Sequence, residues 1–150
     1  MKLDKDLLEL LELFRSRGVE FLIVGGHAVA FHGHPRLTDD LDLFVRPDRT
    51  NGDRIVEALR EFGFGSLGIV AEDFQADDRV IQLGRAPNRV DLLTRLYGID
   101  FADAWNRRVP AVMDGAPVWI ISREDLIQNK RATGRTQDLA DAEFLESLNP

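Results

Sequence analysis

Leucine and phenylalanine recur at helical spacing near the start of the chain, at Leu3, Leu7, Leu10 and Phe14, and Gly18 closes the run. This pattern predicts a packing helix with no catalytic features. The period then changes. Phe21-Leu22-Ile23-Val24 is an apolar run of strand formers that stops at Gly25-Gly26, after which Ala28, Val29, Ala30 and Phe31 fit a helix ended by Pro35. Asp40 to Val45 alternates with period two and predicts a second strand. The next helical stripe is Ile55, Val56, Ala58, Leu59 and Phe62, opened by Thr50-Asn51-Gly52-Asp53 and closed by Gly63 and Gly65.

Phe64 to Val70, Arg79 to Leu83 and Arg89 to Leu93 read as strands. The turn chemistry of Gly84 to Asn88 predicts that the last two form a hairpin. Asp100 caps a short helix through Trp105, and Asp114-Gly115 predicts a tight hairpin between Val109–Met113 and Ala116–Ile121. Pro110 and Pro117 restrict those two strands to edge or end positions. Ser122 opens a helix carrying Leu126, Ile127 and Lys130 that Gly134 ends, and Thr136 opens a last helix with Leu139, Ala142, Leu145 and Leu148 on one stripe. The alternation of strands and helices predicts an α/β (α+β) chain.

With 150 residues, 44% of them hydrophobic, one domain spanning 1–150 is the economical expectation. The absence of cysteine removes disulfides and thiolate metal sites. No uninterrupted apolar stretch approaches membrane-spanning length, which makes a soluble cytoplasmic protein the default and excludes a membrane partner. A net charge of −7 disfavours a broad nucleic-acid surface. A local basic cleft is still open, because Arg123, Lys130, Arg131 and Arg135 lie close in sequence and Arg36 stands between the glycines and the next acids.

The chemistry concentrates between Phe21 and Val45. Two glycines between a strand and a helix let the backbone approach a ligand and leave helix-start N–H groups facing outward, where they suit phosphate. Asp40 and Asp42 are two apart in a strand and project from one face. Two carboxylates held so close repel each other unless a cation lies between them, and hard oxygen ligands suit Mg²⁺. Asp91, a lone acid in the apolar strand Arg89-Val90-Asp91-Leu92-Leu93, would complete a three-carboxylate site if its strand neighbours that of Asp40. His27, His32 and His34 share no helical face and read as structural. The acidic segment from Ala71 to Asp78 lacks the spacing of an EF-hand and reads as a solvated loop. Trp105 and Trp119 read as core residues.

Gly25-Gly26, the Asp40-Leu41-Asp42 strand and the later Asp91 together resemble the polymerase-beta type of nucleotidyltransferase. Within that superfamily the chain is similar to a small prokaryotic branch of AbiEii-type toxins and minimal nucleotidyltransferases. The segment DLIQNKRATGRTQDLADAEFLE extends the resemblance through Lys130, Arg135, Asp138 and Asp141. It implies a minimal nucleotidyltransferase fold, a mixed and largely antiparallel sheet with packed helices. It also implies transfer of a nucleoside monophosphate from a nucleoside triphosphate to a hydroxyl or phosphate acceptor, whether protein, tRNA or small molecule, with a toxin–antitoxin or abortive-infection role and a partner protein to match.

Under this reading Asp40, Asp42 and Asp91 are catalytic and hold two Mg²⁺ ions, with Mn²⁺ as the alternative, and Asp91 is either third ligand or general base. Gly25, Gly26, Arg36 and Lys130 bind the nucleotide. Against this stand a non-catalytic nucleotidyltransferase-like binding partner, which the short chain favours, and a metal-dependent phosphodiesterase or nuclease, which leaves Gly25-Gly26 unexplained. Lys130 and its acidic neighbours would then be ordinary surface salt bridges.

Overall fold

The computed structural model describes residues 4–35, 38, 40–85 and 88–148. Its elements run α1 (Lys5–Ser16), β1 (Phe21–Val24), α2 (Gly25–Phe31), β2 (Leu41–Val45), α3 (Arg49–Phe62), β3 (Val80–Leu83), β4 (Val90–Leu93), α4 (Phe101–Asn106), β5 (Val109–Met113), β6 (Ala116–Ile120), α5 (Arg123–Thr133) and α6 (Thr136–Ser147). The six strands form one sheet in the order β3-β4-β2-β1-β6-β5. The sequential pairs β1–β2, β3–β4 and β5–β6 are antiparallel, and the parallel contacts β2–β4 and β1–β6 join them into a mixed sheet.

The amphipathic helices cover this sheet as their periodicity requires. Asp4 caps α1 by accepting from the Asp6 N–H, and Leu7, Leu10, Leu11 and Phe14 form its buried face. Each such side chain contributes on the order of 2 kcal/mol on burial. Leu41, Leu43 and Val45 of β2 enter the core, and from the opposite face Phe44 meets the Phe101 ring at 5.0 Å. Pro110 lies on the edge strand β5. Pro117 is the second residue of β6, which pairs with β1 through Ile120, so neither proline removes a needed ladder bond. Asp114 and Gly115 take positive φ of 50° and 87°, as the tight hairpin demands.

Five local expectations are corrected. Phe64 to Val70 is not a strand: the chain makes short 3-10 turns at Gly65–Leu67 and Ala71–Phe74. Gly63 and Gly68 adopt left-handed φ of 106° and 72°, which breaks an extended run, and Ala71 and Phe74 bury against α3. Gly52 permits that approach, since a Cβ there would lie 2.8 Å from the Ala71 carbonyl. The acidic segment is therefore not wholly a solvated loop, and Asp73 accepts from the Val70 N–H at 2.9 Å.

The cap of α3 is Asp48, accepting from the Asn51 N–H at 2.7 Å, in place of Thr50. This frees buried Asn51 to bond Glu20 and Arg46 backbone groups and tie α3 to β1 and β2. Thr136 is the first residue of α6 and not its cap. The buried face of α6 carries Asp138, Asp141, Ala142 and Leu145, whereas Leu139 is exposed.

Candidate active site

The end of β1 and its partner strands place the acids. Val24 pairs with Asp42, so Gly25 follows directly beside that carboxylate, and β2–β4 pairing aligns Asp42 with Asp91. The two acids come from parallel neighbours and share one face of the sheet. Gly25 has φ of +68°, and a Cβ on it would collide with the Asp42 carboxylate. A Cβ on Gly26 would lie 2.8 Å from Thr38 Oγ1. Both glycines are thus required by close approach, and no side chain caps the start of α2. With seven residues α2 has a modest dipole, so its free N–H groups are what it offers an anion.

Gly25, Gly26, Thr38, Asp42 and Lys130 line a cavity of 380 Å³ together with Arg135, Gln137, Asp138 and Asp141. Four of the residues expected to act together therefore do meet. Arg36 lies outside the described residues. Asp40 and Asp91 stand beside this cavity, joined by Arg89, whose Nη2 is 3.0 Å from Asp40 Oδ2 and 3.1 Å from Asp91 Oδ2. Among the described residues, no group of three or more His, Asp or Glu side chains is arranged to hold a metal ion.

The electrostatics still favour a cation. Burial, then the charges of Asp91 and Asp40, push the Asp42 carboxyl up to about 6, and Arg89 and Lys130 oppose this only through space. Asp91 Oδ1 is buried and accepts no hydrogen bond. That oxygen has only the poorly aligned Arg89 Nε beside it, at 3.1 Å, and next to an under-compensated carboxylate it fits a hard divalent ion, with Asp42 and Asp91 as the residues that would hold it.

Lys130 is not part of a surface salt bridge. Its Nζ is 3.4 Å from Asp138 Oδ1 and 3.4 Å from Asp141 Oδ2, and its side chain is 13% exposed. Burial acts to raise the Asp138 carboxyl, but hydrogen bonds from Arg135 and Thr133 and the charge of Lys130 outweigh it and hold the group below its usual value. Asp141 accepts from Gln137 at 3.0 Å and faces His34 Nε2 at 3.9 Å.

The three histidines diverge. His27 is buried, and burial lowers its pKa against the opposing charge of Asp40; His32 Nε2 meets the Ile121 carbonyl at 2.7 Å; His34 packs on Phe144. Trp105 and Trp119 enclose Arg108, whose guanidinium lies 4.0 and 4.5 Å from their rings. They line a separate apolar cavity of 330 Å³ near Phe21, at the far end of β1 from Gly25.

Sequence reasoning gave no role to Thr38 or Arg89 and did not place Asp138 and Asp141 at the cavity. The signal for the last two was present, since acids three apart on an apolar helix stripe need a buried cation.

This fold is nucleotidyltransferase-like. The chain superposes on the lincosamide adenylyltransferase LnuA with a TM-score of 0.55 at 14% identity, covering 99% of each chain. With the antibiotic-resistance factor ANT(2'')-Ia the TM-score is 0.56 at 18% identity, covering 93% of this chain and 80% of that one. With an antigenic nucleotidyltransferase-like protein from Paracoccidioides brasiliensis it is 0.53 at 17% identity, covering 97% and 78%. At such identities the likeness is one of fold. Residues 1–146 match the family described as nucleotidyltransferase of unknown function (DUF6036), and the chain belongs to that family. No curated protein sequence matches it. Among the described residues no helix is long and apolar enough to cross a membrane.

Proposed function

We propose that the protein transfers a nucleoside monophosphate from a nucleoside triphosphate to a hydroxyl or phosphate acceptor. An acceptor oxygen attacks the α-phosphorus, the bond from that phosphorus to the β-bridging oxygen breaks, and pyrophosphate leaves. Gly25 and Gly26 offer backbone N–H groups to the β and γ phosphates. Lys130, held by Asp138 and Asp141 at the cavity wall, adds positive charge. Asp42 and Asp91 form the carboxylate pair, Asp40 flanks them, and Asp91 takes the acceptor proton or serves as a ligand. A divalent ion, Mg²⁺ or Mn²⁺, would neutralise triphosphate charge there and acidify the acceptor.

The observation that carries this reading is the register of Asp42 with Asp91, beside glycines that leave no room for a side chain. The likeness to adenylyltransferases supports the reaction class. The resemblance of Lys130, Arg135, Asp138 and Asp141 to AbiEii-type toxins supports a toxin–antitoxin or abortive-infection setting. A second reading, a non-catalytic binding partner, is favoured by Arg89 standing between Asp40 and Asp91.

Calorimetric titration of a non-hydrolysable nucleoside triphosphate, with and without Mg²⁺, separates the two. Nucleotidyl transfer requires metal-dependent binding that is lost in Asp40→Asn/Asp42→Asn. An absence of binding under every condition refutes it and leaves the partner reading.

A further inference from the structure

Arg89 is fixed at one end and loose at the other. Its carbonyl accepts the Leu41 N–H at 3.0 Å, which locks its backbone into the β2–β4 edge beside Asp40. Its side chain is 33% exposed, against 11% for Asp91. One nitrogen, Nη2, serves both Asp40 and Asp91, and Nε approaches Asp91 Oδ1 at 3.1 Å without hydrogen-bonding to it. The guanidinium thus neutralises two acids, but it meets Asp91 Oδ1 at ion-pair distance without a hydrogen bond. A second cation at Asp91 competes with the guanidinium for that carboxylate, because like charges at ion-pair distance repel in a partly dehydrated site. An arginine remains charged at any working pH, so it can vacate the site only by rotating its side chain toward solvent.

We infer that Arg89 is the resident counter-ion of the carboxylate site, and that a divalent cation binds Asp42 and Asp91 by exchange with its guanidinium. The idea rests on the carboxylate reading given above. Rotation of the Arg89 side chain leaves the β2–β4 ladder intact, since that ladder uses its backbone. The resident arginine spares the free protein two uncompensated carboxylates, Asp40 and Asp91, and it makes metal affinity weaker than the same acids would give without it. It also leaves the guanidinium, once displaced, on the β4 side of the cleft as a cation available to a substrate oxygen.

The test is a Mn²⁺ titration of the full chain, followed by electron paramagnetic resonance, for wild type, Arg89→Gln and Arg89→Lys, with circular dichroism to verify folding. Arg89→Gln should bind Mn²⁺ about tenfold more tightly than wild type, the size expected when a charge-assisted pair need no longer be given up. Arg89→Lys, which retains a cation, should fall between them and keeps the comparison usable if the Gln variant folds poorly. In the wild type, the Arg89 Nε–H resonance, assigned by its loss in either variant, should move toward that of a free arginine as Mg²⁺ is added. Equal or weaker Mn²⁺ affinity in Arg89→Gln, or an Arg89 resonance unmoved at saturating Mg²⁺, overturns the exchange and leaves the nucleotidyl-transfer reading standing. Failure of wild type and both variants to bind Mn²⁺ at all overturns the exchange and the carboxylate site together.

Discussion

Replacing Asp42 by Asn tests the electrostatics of the site without any substrate. The Asp42 carboxyl is raised from 3.8 to about 6 in the folded protein, first by burial and then by Asp91 and Asp40. A raised carboxylate pKa means that the folded state holds its proton more tightly than the unfolded chain does. Stability is therefore unaffected below the unfolded value, and it falls as pH rises through the window from 3.8 to about 6. The shift is about two units, and at about 1.4 kcal/mol per unit the ionised group costs roughly 2 to 3 kcal/mol above that window.

An isosteric amide removes the cost. Urea unfolding with a chelator present should show Asp42→Asn about 2 kcal/mol more stable than wild type at pH 7, and about 0.5 kcal/mol or less apart at pH 4. Saturating Mg²⁺ should close the gap at pH 7, because an ion bound to the folded state stabilises the wild type alone. An Asn variant that is less stable at pH 7, or an advantage equal at both pH values, would show that Asp42 is not a strained, cation-seeking acid.

Two further substitutions probe the rest of the cavity. Gly25→Ala places a Cβ against the Asp42 carboxylate at a left-handed backbone position, so thermal unfolding should show a loss of about 1–3 kcal/mol, with nucleotide affinity falling in the same protein. Lys130→Ala leaves Asp138 and Asp141 buried without their shared cation and should cost about 3 kcal/mol in urea unfolding, more than any surface pair could; a loss below about 1 kcal/mol would return Lys130 to the status of an ordinary surface lysine.

What could be read from the chain and what could not divide along a physical line. The strands around the site announce themselves locally: β1 and β2 by apolar run and alternation, β5 and β6 by Asp114-Gly115, and the glycines and acids by adjacency. Phe64 to Val70 misled because strand propensity lost to two left-handed glycines and to the burial of Ala71 and Phe74 against α3. The stripe of α6 was misphased by Leu139, which faces solvent while Asp138 turns inward toward Lys130 on another helix. In both cases the deciding partner lies on another helix, α3 for Ala71 and Phe74 and α5 for Asp138.

The same holds for the charges of the site. The candidate ligands Asp42 and Asp91 were legible as acids in strands, whereas Asp40, expected in the same strand as Asp42, lies just ahead of β2, and the cation that reaches it was not legible. Arg89 reaches Asp40 only because β4 lies parallel to β2, and Lys130 meets Asp138 and Asp141 only because α6 folds back on α5. Among the described residues, that leaves Asp42 as the acid of the three without a cation in direct contact, and its carboxyl is pushed up. Affinity for a metal is thus set by which acids the fold has already neutralised, and the count of carboxylates in a motif overstates it.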